Sequence, residues 1–236
     1  MILGILDADI LRDDLKEEYV SYANMMIQLF NQIPHDIEFR TFHVRNGIYP
    51  EHIDECDAYL ITGSKSSAYD AEPWINQLSD YIKNLYTHNK HILGICFGHQ
   101  LIAHSLGGKT ELAKQGWGVG VHKYKVNPDA ELHKRLPDLD AEFSLLVSHR
   151  DQVTMIPPQA QLLASSEFCP FAAYIIENKV LCFQGHPEFT PIYADKLMQA
   201  RKEIIEKVVF DKGQRSLQDS TQHLAVAKMM LGFVGS

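Results

Sequence analysis

The sequence has no excess of basic residues: 22 Lys and Arg stand against 30 Asp and Glu in 236 residues. Binding to phosphate backbones needs clustered cations, so nucleic acid is not an expected partner. Long apolar runs are missing too, and nothing approaches the roughly 20 apolar residues of a membrane span. The opening MILGILDADI carries Asp7 and Asp9 where a secretory signal needs a basic flank and an unbroken apolar stretch. A cytoplasmic protein with no membrane partner is the expectation. The four cysteines, Cys56, Cys96, Cys169 and Cys182, form no CxxC or zinc-ligand spacing, and the twelve histidines form no HExxH. Free thiols and no metal site follow. No GxxxxGK[ST] occurs, so ATP is not implied, and no cofactor is expected.

What is present is an alternation of elements. MILGILDA, DIEFRTFHV, CDAYLITGS and HILGIC read as strands. Between them, residues 13–32 and 72–89 show helical spacing, the second with Pro73 in its first turn, and HQLIAHSLGG reads as a helix closed by Gly107 and Gly108. From about Gly116 the pattern becomes strand-like: GVGVHKYKV, EFSLLVS, QAQLLASS, FAAYIIE and KVLCFQG, with ENK at 177–179 as a hairpin turn. Two helical stretches, 193–210 and 216–234, finish the chain. The apolar stripe of Leu217, Leu224, Val226, Met229, Met230 and Phe233 is expected to pack on its own domain. These elements describe an α/β fold in one domain, residues 1–236, with a central mixed, mainly parallel sheet flanked by helices.

Chemistry concentrates at residues 91–100, HILGICFGHQ. Gly94-Ile95-Cys96-Phe97-Gly98 is the cysteine form of the G-x-S-x-G elbow, the strand-to-helix turn that exposes a nucleophile beyond the carboxyl end of a strand. A Cβ beside so tight a turn would meet the neighbouring chain, which accounts for the glycines. The helix that follows favours a thiolate at Cys96, and its first N–H groups, Phe97 among them, point where an oxyanion forms. An isolated cysteine is as easily a packing residue. The second feature is QGHPE at 184–188, where His186 and Glu188 lie two apart around Pro187 and are able to project to one side. A base held by a carboxylate has a fixed tautomer and a stabilised imidazolium.

Together the elbow and the later H-P-E resemble the class I glutamine amidotransferases over about residues 1–190, most closely stand-alone proteins similar to the amidotransferase domain of GMP synthetase. The resemblance implies the family's flavodoxin-like fold and a Cys96-His186-Glu188 triad that cleaves the γ-amide of glutamine through a γ-glutamyl thioester. It also implies an oxyanion hole from Gly63 and Phe97, and substrate contacts from Gln100 and the SHRDQV segment, with Ser148 and His149 in the wall and Asp151 facing an α-ammonium. The pattern departs at Thr62-Gly63-Ser64, where many members have Gly-Gly-Pro. Trp117 reads either as pocket wall or as core, and Ser66 and Ser67 as turn residues.

Two functions share this chemistry. One is a glutaminase, alone or delivering ammonia to a synthetase partner; the other is a γ-glutamyl peptidase acting on glutathione-like conjugates. A non-catalytic binding protein on the same fold is disfavoured by retention of the triad residues, and a thiol redox protein leaves HPE unexplained. The space on the leaving-group side of Cys96 separates the first two, since ammonia needs almost none. Oligomeric state is not legible.

Overall fold

A computed structural model describes residues 1–129 and 140–235. Its frame is a nine-stranded sheet in the order β2-β1-β3-β4-β11-β10-β9-β6-β7. The strands are β1 (Ile2–Leu6), β2 (Glu38–Phe42), β3 (Ala58–Ile61), β4 (His91–Ile95), β6 (Gly118–Val126), β7 (Glu142–His149), β9 (Ala160–Ser165), β10 (Ala173–Ile176) and β11 (Val180–Phe183). The first five in the order pair parallel and the rest antiparallel. Followed through these pairings, only β10 and β6 run against the others. The carboxyl ends of β3, β4, β11 and β7 therefore share one rim of the sheet, the end at which such sheets bind ligands.

Both faces are covered because the strand residues alternate. Leu3, Ile5, Leu60, Leu93 and Ile95 point into one apolar cluster with Met26 and Phe30 of α2 (Tyr22–Phe30) and Val226 and Met230 of the last helix. Leu6, Tyr59, Ile61 and Ile92 point into the other, with Leu78, Ile82 and Leu85 of α3 (Pro73–Thr87) and Leu101 and Ile102 of α4 (Phe97–Ser105). The last helix is α7 (His223–Val234), numbered after α5 (Pro191–Ala200) and α6 (Lys207–Ser216). Val226, Met229, Met230 and Phe233 of the expected stripe are buried where α7 meets α2 and β4, whereas Leu224 is exposed and Leu217 lies before the helix in another cluster with Leu11 and Leu15.

Three helical expectations are corrected. The stretch expected over 216–234 forms its helix only from His223. The helix expected over 13–32 is two, α1 (Asp13–Tyr19) and α2. Val20 takes φ 63° between them, and the Ser21 hydroxyl accepts from the Asn24 N–H and caps the second. The helix expected over 193–210 likewise divides into α5 and α6. A two-stranded ribbon, β5 (Lys109–Leu112) with β8 (Asp151–Met155), is additional. No helix among the described residues is long and apolar enough to cross a membrane.

Candidate active site

Cys96 stands between β4 and α4 with φ 50° and ψ −98°, a conformation costly for a residue with a Cβ and characteristic of functional turns. The neighbouring glycines are sterically required. A Cβ on Gly94 would lie 2.6 Å from Ile102 Cδ1, and one on Gly98 would lie 2.3 Å from the Ile61 carbonyl oxygen. The turn is fastened by the Cys96 N–H donating to Phe183 O at 2.9 Å and the Gly98 N–H donating to Thr62 O at 3.2 Å. β4 is thereby tied to β11 on one side and to the end of β3 on the other.

Those ties bring the distant motifs to the thiol. A Cβ on Gly63 would stand 2.8 Å from His186 Cε1 and 3.8 Å from Cys96 Cβ, so three residues far apart in sequence meet around one point. His186 Nδ1 and Glu188 Oε1 are 2.7 Å apart, and both side chains are buried. Burial opposes charge on the imidazole, but the Glu188 carboxylate and the Cys96 sulfur outweigh it and raise the His186 pKa from 6.5 to about 10. Phe189 stacks on the His186 ring at 3.8 Å, with Tyr22 behind it at 5.9 Å, which fixes the plane of the imidazole. Neither the Gly63 nor the Phe97 N–H donates to a protein acceptor among the described residues.

Beside Cys96 opens a cavity of about 350 Å³. Gln100, Ser148, His149 and Asp151 all line it. Asp151 accepts from the Tyr69 hydroxyl at 3.0 Å and from Ser67 Oγ, so Ser67 is more than a turn residue. Gln100 spends its amide N–H groups inside the protein, on the Asp151 carbonyl at 2.8 Å and on Gln184 Oε1 at 3.0 Å. The His149 pKa is lowered to about 3, chiefly by burial; its neutral ring donates from Nδ1 to the Asp151 carbonyl, and Nε2 has no protein partner among the described residues. Ser148 Oγ accepts from Arg201 at 2.6 Å. Trp117, open between wall and core on sequence grounds, lines the cavity.

Sequence reasoning overlooked Gln184, Phe189 and Arg201. Gln184 carried a signal, a polar residue closing an apolar buried strand, and it is fully buried with Nε2 3.5 Å from Cys96 Sγ. Arg201 was legible only as half of a short basic pair. Among the described residues no group of His, Cys, Asp and Glu is arranged to hold a metal. Cys56, Cys169 and Cys182 are buried free thiols, and burial raises the pKa of each, that of Cys169 and Cys182 to about 12.

Cys96 lines the cavity, with His186 and Gly63 beside it, and a thiol, an imidazole–carboxylate pair and N–H donors are the kinds of group that acyl transfer uses. The chain is 34% identical over 181 residues to γ-glutamyl peptidase 4 of Arabidopsis thaliana, covering 74% of this chain and 70% of that protein. It is 36% identical over 132 residues to the glutamine-hydrolysing GMP synthase of Streptococcus mutans, covering 55% of this chain and 24% of the synthase. A glutamine amidotransferase crystal structure from Thermotoga maritima shares the fold at 19% identity, with a TM-score of 0.77 over 100% of this chain and 98% of that one. The class-I glutamine amidotransferase profile matches residues 14–204, and the chain belongs to that family of cysteine hydrolase-type enzymes.

Proposed function

We propose that the protein hydrolyses γ-glutamyl amides whose leaving group is a peptide or amino acid rather than ammonia. The observation that carries this reading is the cavity of about 350 Å³ at Cys96. The glutamyl group takes part of that volume, since Gln100 and Asp151 line the cavity, but the lining continues past them to Trp117, Arg150 and Arg201, and ammonia, no larger than a water at about 30 Å³, requires no such extension. The space falls instead in the range of pockets that enclose whole small-molecule ligands. Relatives named as γ-glutamyl peptidases agree with it. The reading does not require an ammonia-accepting synthetase.

In the proposed reaction the Cys96 thiolate attacks the γ-carbonyl, and the resulting oxyanion is held by the N–H groups of Gly63 and Phe97. His186, protonated and oriented by Glu188, gives its proton to the departing nitrogen as the C–N bond breaks, which leaves a γ-glutamyl thioester. Water then attacks the thioester, His186 takes its proton, and glutamate leaves with the thiolate restored. Asp151 faces the substrate's α-ammonium, with Ser67 and Tyr69 fixing its carboxylate. Gln100 holds that wall in place through the Asp151 carbonyl.

The test is to assay the purified protein on glutamine, glutathione and γ-glutamyl dipeptides, with Cys96→Ala as control. Expected are a higher kcat/KM for peptides than for glutamine, and loss of all hydrolysis in folded Cys96→Ala. A preference for glutamine returns the reading to a glutaminase, and activity in Cys96→Ala removes the mechanism.

A further inference from the structure

The cavity at Cys96 is lined by four cations, and they are not equivalent. Arg12 pairs with Asp14 and Lys65 with Asp9. Neither Arg150, which is exposed, nor Arg201 is in any ion pair seen among the described residues, in a chain where acids outnumber bases 30 to 22. Both guanidinium groups instead lie against one indole: Arg201 is 5.2 Å and Arg150 5.9 Å from the Trp117 ring centroid. Arg201 is half-buried, and its Nη1 is steered by Ser148 Oγ at 2.6 Å. An aromatic neighbour attracts a guanidinium without using up its N–H donors, so those not engaged by Ser148 remain for a ligand. Two such groups on one cavity wall are equipment for a carboxylate, which the arginine fork grips with two parallel hydrogen bonds.

We infer that Arg150, Arg201 and Trp117 form a leaving-group subsite that reads a free carboxylate on the amine departing from the γ-glutamyl carbonyl. The inference rests on the γ-glutamyl hydrolase reading above and names its substrate class: γ-glutamyl dipeptides and short peptides with a free C-terminus, ahead of γ-glutamyl amines and glutamine. The alternative occupant of the arginines is the α-carboxylate of the glutamyl group itself. The α-carboxylate shares a carbon with the α-ammonium and so must bind near Asp151. Asp151 is turned to Ser67 and Tyr69, whereas the adjacent Arg150 is turned to Trp117. The two consecutive side chains mark different walls of the cavity, and the arginine wall is left for the other end of the substrate.

γ-Glutamylglycine and γ-glutamylglycinamide differ only in the carboxylate, and their kcat/KM ratio isolates it. The native enzyme should favour the acid by about tenfold or more, the effect of one charge-assisted hydrogen bond. The ratio should fall toward one in Arg201→Gln and Arg150→Gln, and Arg201→Lys, which keeps the charge without the fork, should recover part of it. No preference in the native enzyme, or an equal loss on both substrates in the variants, overturns the subsite and assigns the arginines to the glutamyl end or to the fold. Should the native enzyme hydrolyse neither compound, the hydrolase reading fails by itself, and calorimetric binding to Cys96→Ala decides the subsite. Tighter binding of the acid, lost on adding Arg201→Gln, sustains the subsite; equal binding of acid and amide removes it.

Discussion

The Gln184 side-chain amide is 3.5 Å from the Cys96 sulfur, and its carbonyl oxygen accepts from Gln100 at 3.0 Å. Gln100 in turn holds the backbone carbonyl of Asp151. One buried amide pair thus links the thiol to the cavity wall 55 residues away in sequence. The Gln184 N–H donates toward the sulfur that the proposed mechanism uses as nucleophile. Gln184→Leu removes that donor and strands the Gln100 N–H. The expected outcome is a loss of about tenfold or more in kcat, larger than the change in KM, since a hydrogen bond to a charged group contributes about 1.5–3 kcal/mol. The rate of Cys96 alkylation by iodoacetamide at fixed pH should fall in parallel. Unchanged alkylation would show that the amide serves packing alone.

The charge on His186 rests on Glu188. With the carboxylate present the imidazolium persists up to about pH 10 despite its burial. Glu188→Gln keeps the shape and a hydrogen-bond acceptor but removes the negative charge, so burial then acts with less opposition and the pKa must fall. The alkaline limit set by His186 should move to lower pH by at least about one unit. The pH profile of kcat/KM, or of single-turnover acylation, reads this directly. A profile that keeps its alkaline limb in Glu188→Gln would exclude the carboxylate as the source of the charge.

The elbow and the HPE segment were legible because their constraints are local: glycines two residues either side of a cysteine, and a proline between His186 and Glu188. The order of strands and most helices followed from periodicity for the same reason. What escaped was set by distant contacts. KTEL and DQVTM are short and polar, so the β5–β8 ribbon carried no apolar signal, and its strands are made by long-range pairing, from Lys109 with Met155 to Leu112 with Asp151. Residues 13–32 keep helical spacing through the break at Val20 and Ser21 without a Gly or Pro to mark it. Arg201 gains its place from Ser148, 53 residues earlier, and from Trp117. Neither relation leaves a local trace, so the cationic wall was invisible until the chain was folded.

Gly98 tests how closely the elbow is packed. A Cβ there would lie 2.3 Å from a backbone oxygen of β3, and 2.9 Å from Ile61 Cβ, neither of which yields by rotating a side chain. Gly98→Ala should therefore cost about 3 kcal/mol or more of stability, measurable by urea unfolding, or prevent soluble expression. Gly47→Ala is the comparison. Its φ is +75° but no atom lies within 4 Å of the added Cβ, so it should cost only the backbone strain of about 1 kcal/mol.

Asp7 gives stability a pH dependence independent of the triad. The carboxyl is buried at the end of β1, and burial, against the opposing pull of His43, raises its pKa from 3.8 to about 6. A folded-state pKa above the unfolded one means that the protonated form is favoured by folding. The contribution is complete below about pH 4 and is lost as pH rises through about 6. Asp7→Asn mimics the protonated carboxyl at every pH. It should raise stability at pH 7.5 by up to roughly 3 kcal/mol, the linkage value for a shift from 3.8 to about 6, in which the pull of His43 is already included. The gain should shrink toward zero near pH 4. Thermal melts of the two proteins at pH 4.5, 6.0 and 7.5 measure it. A difference in Tm that does not grow with pH would place the charge of Asp7 in a stabilising contact instead.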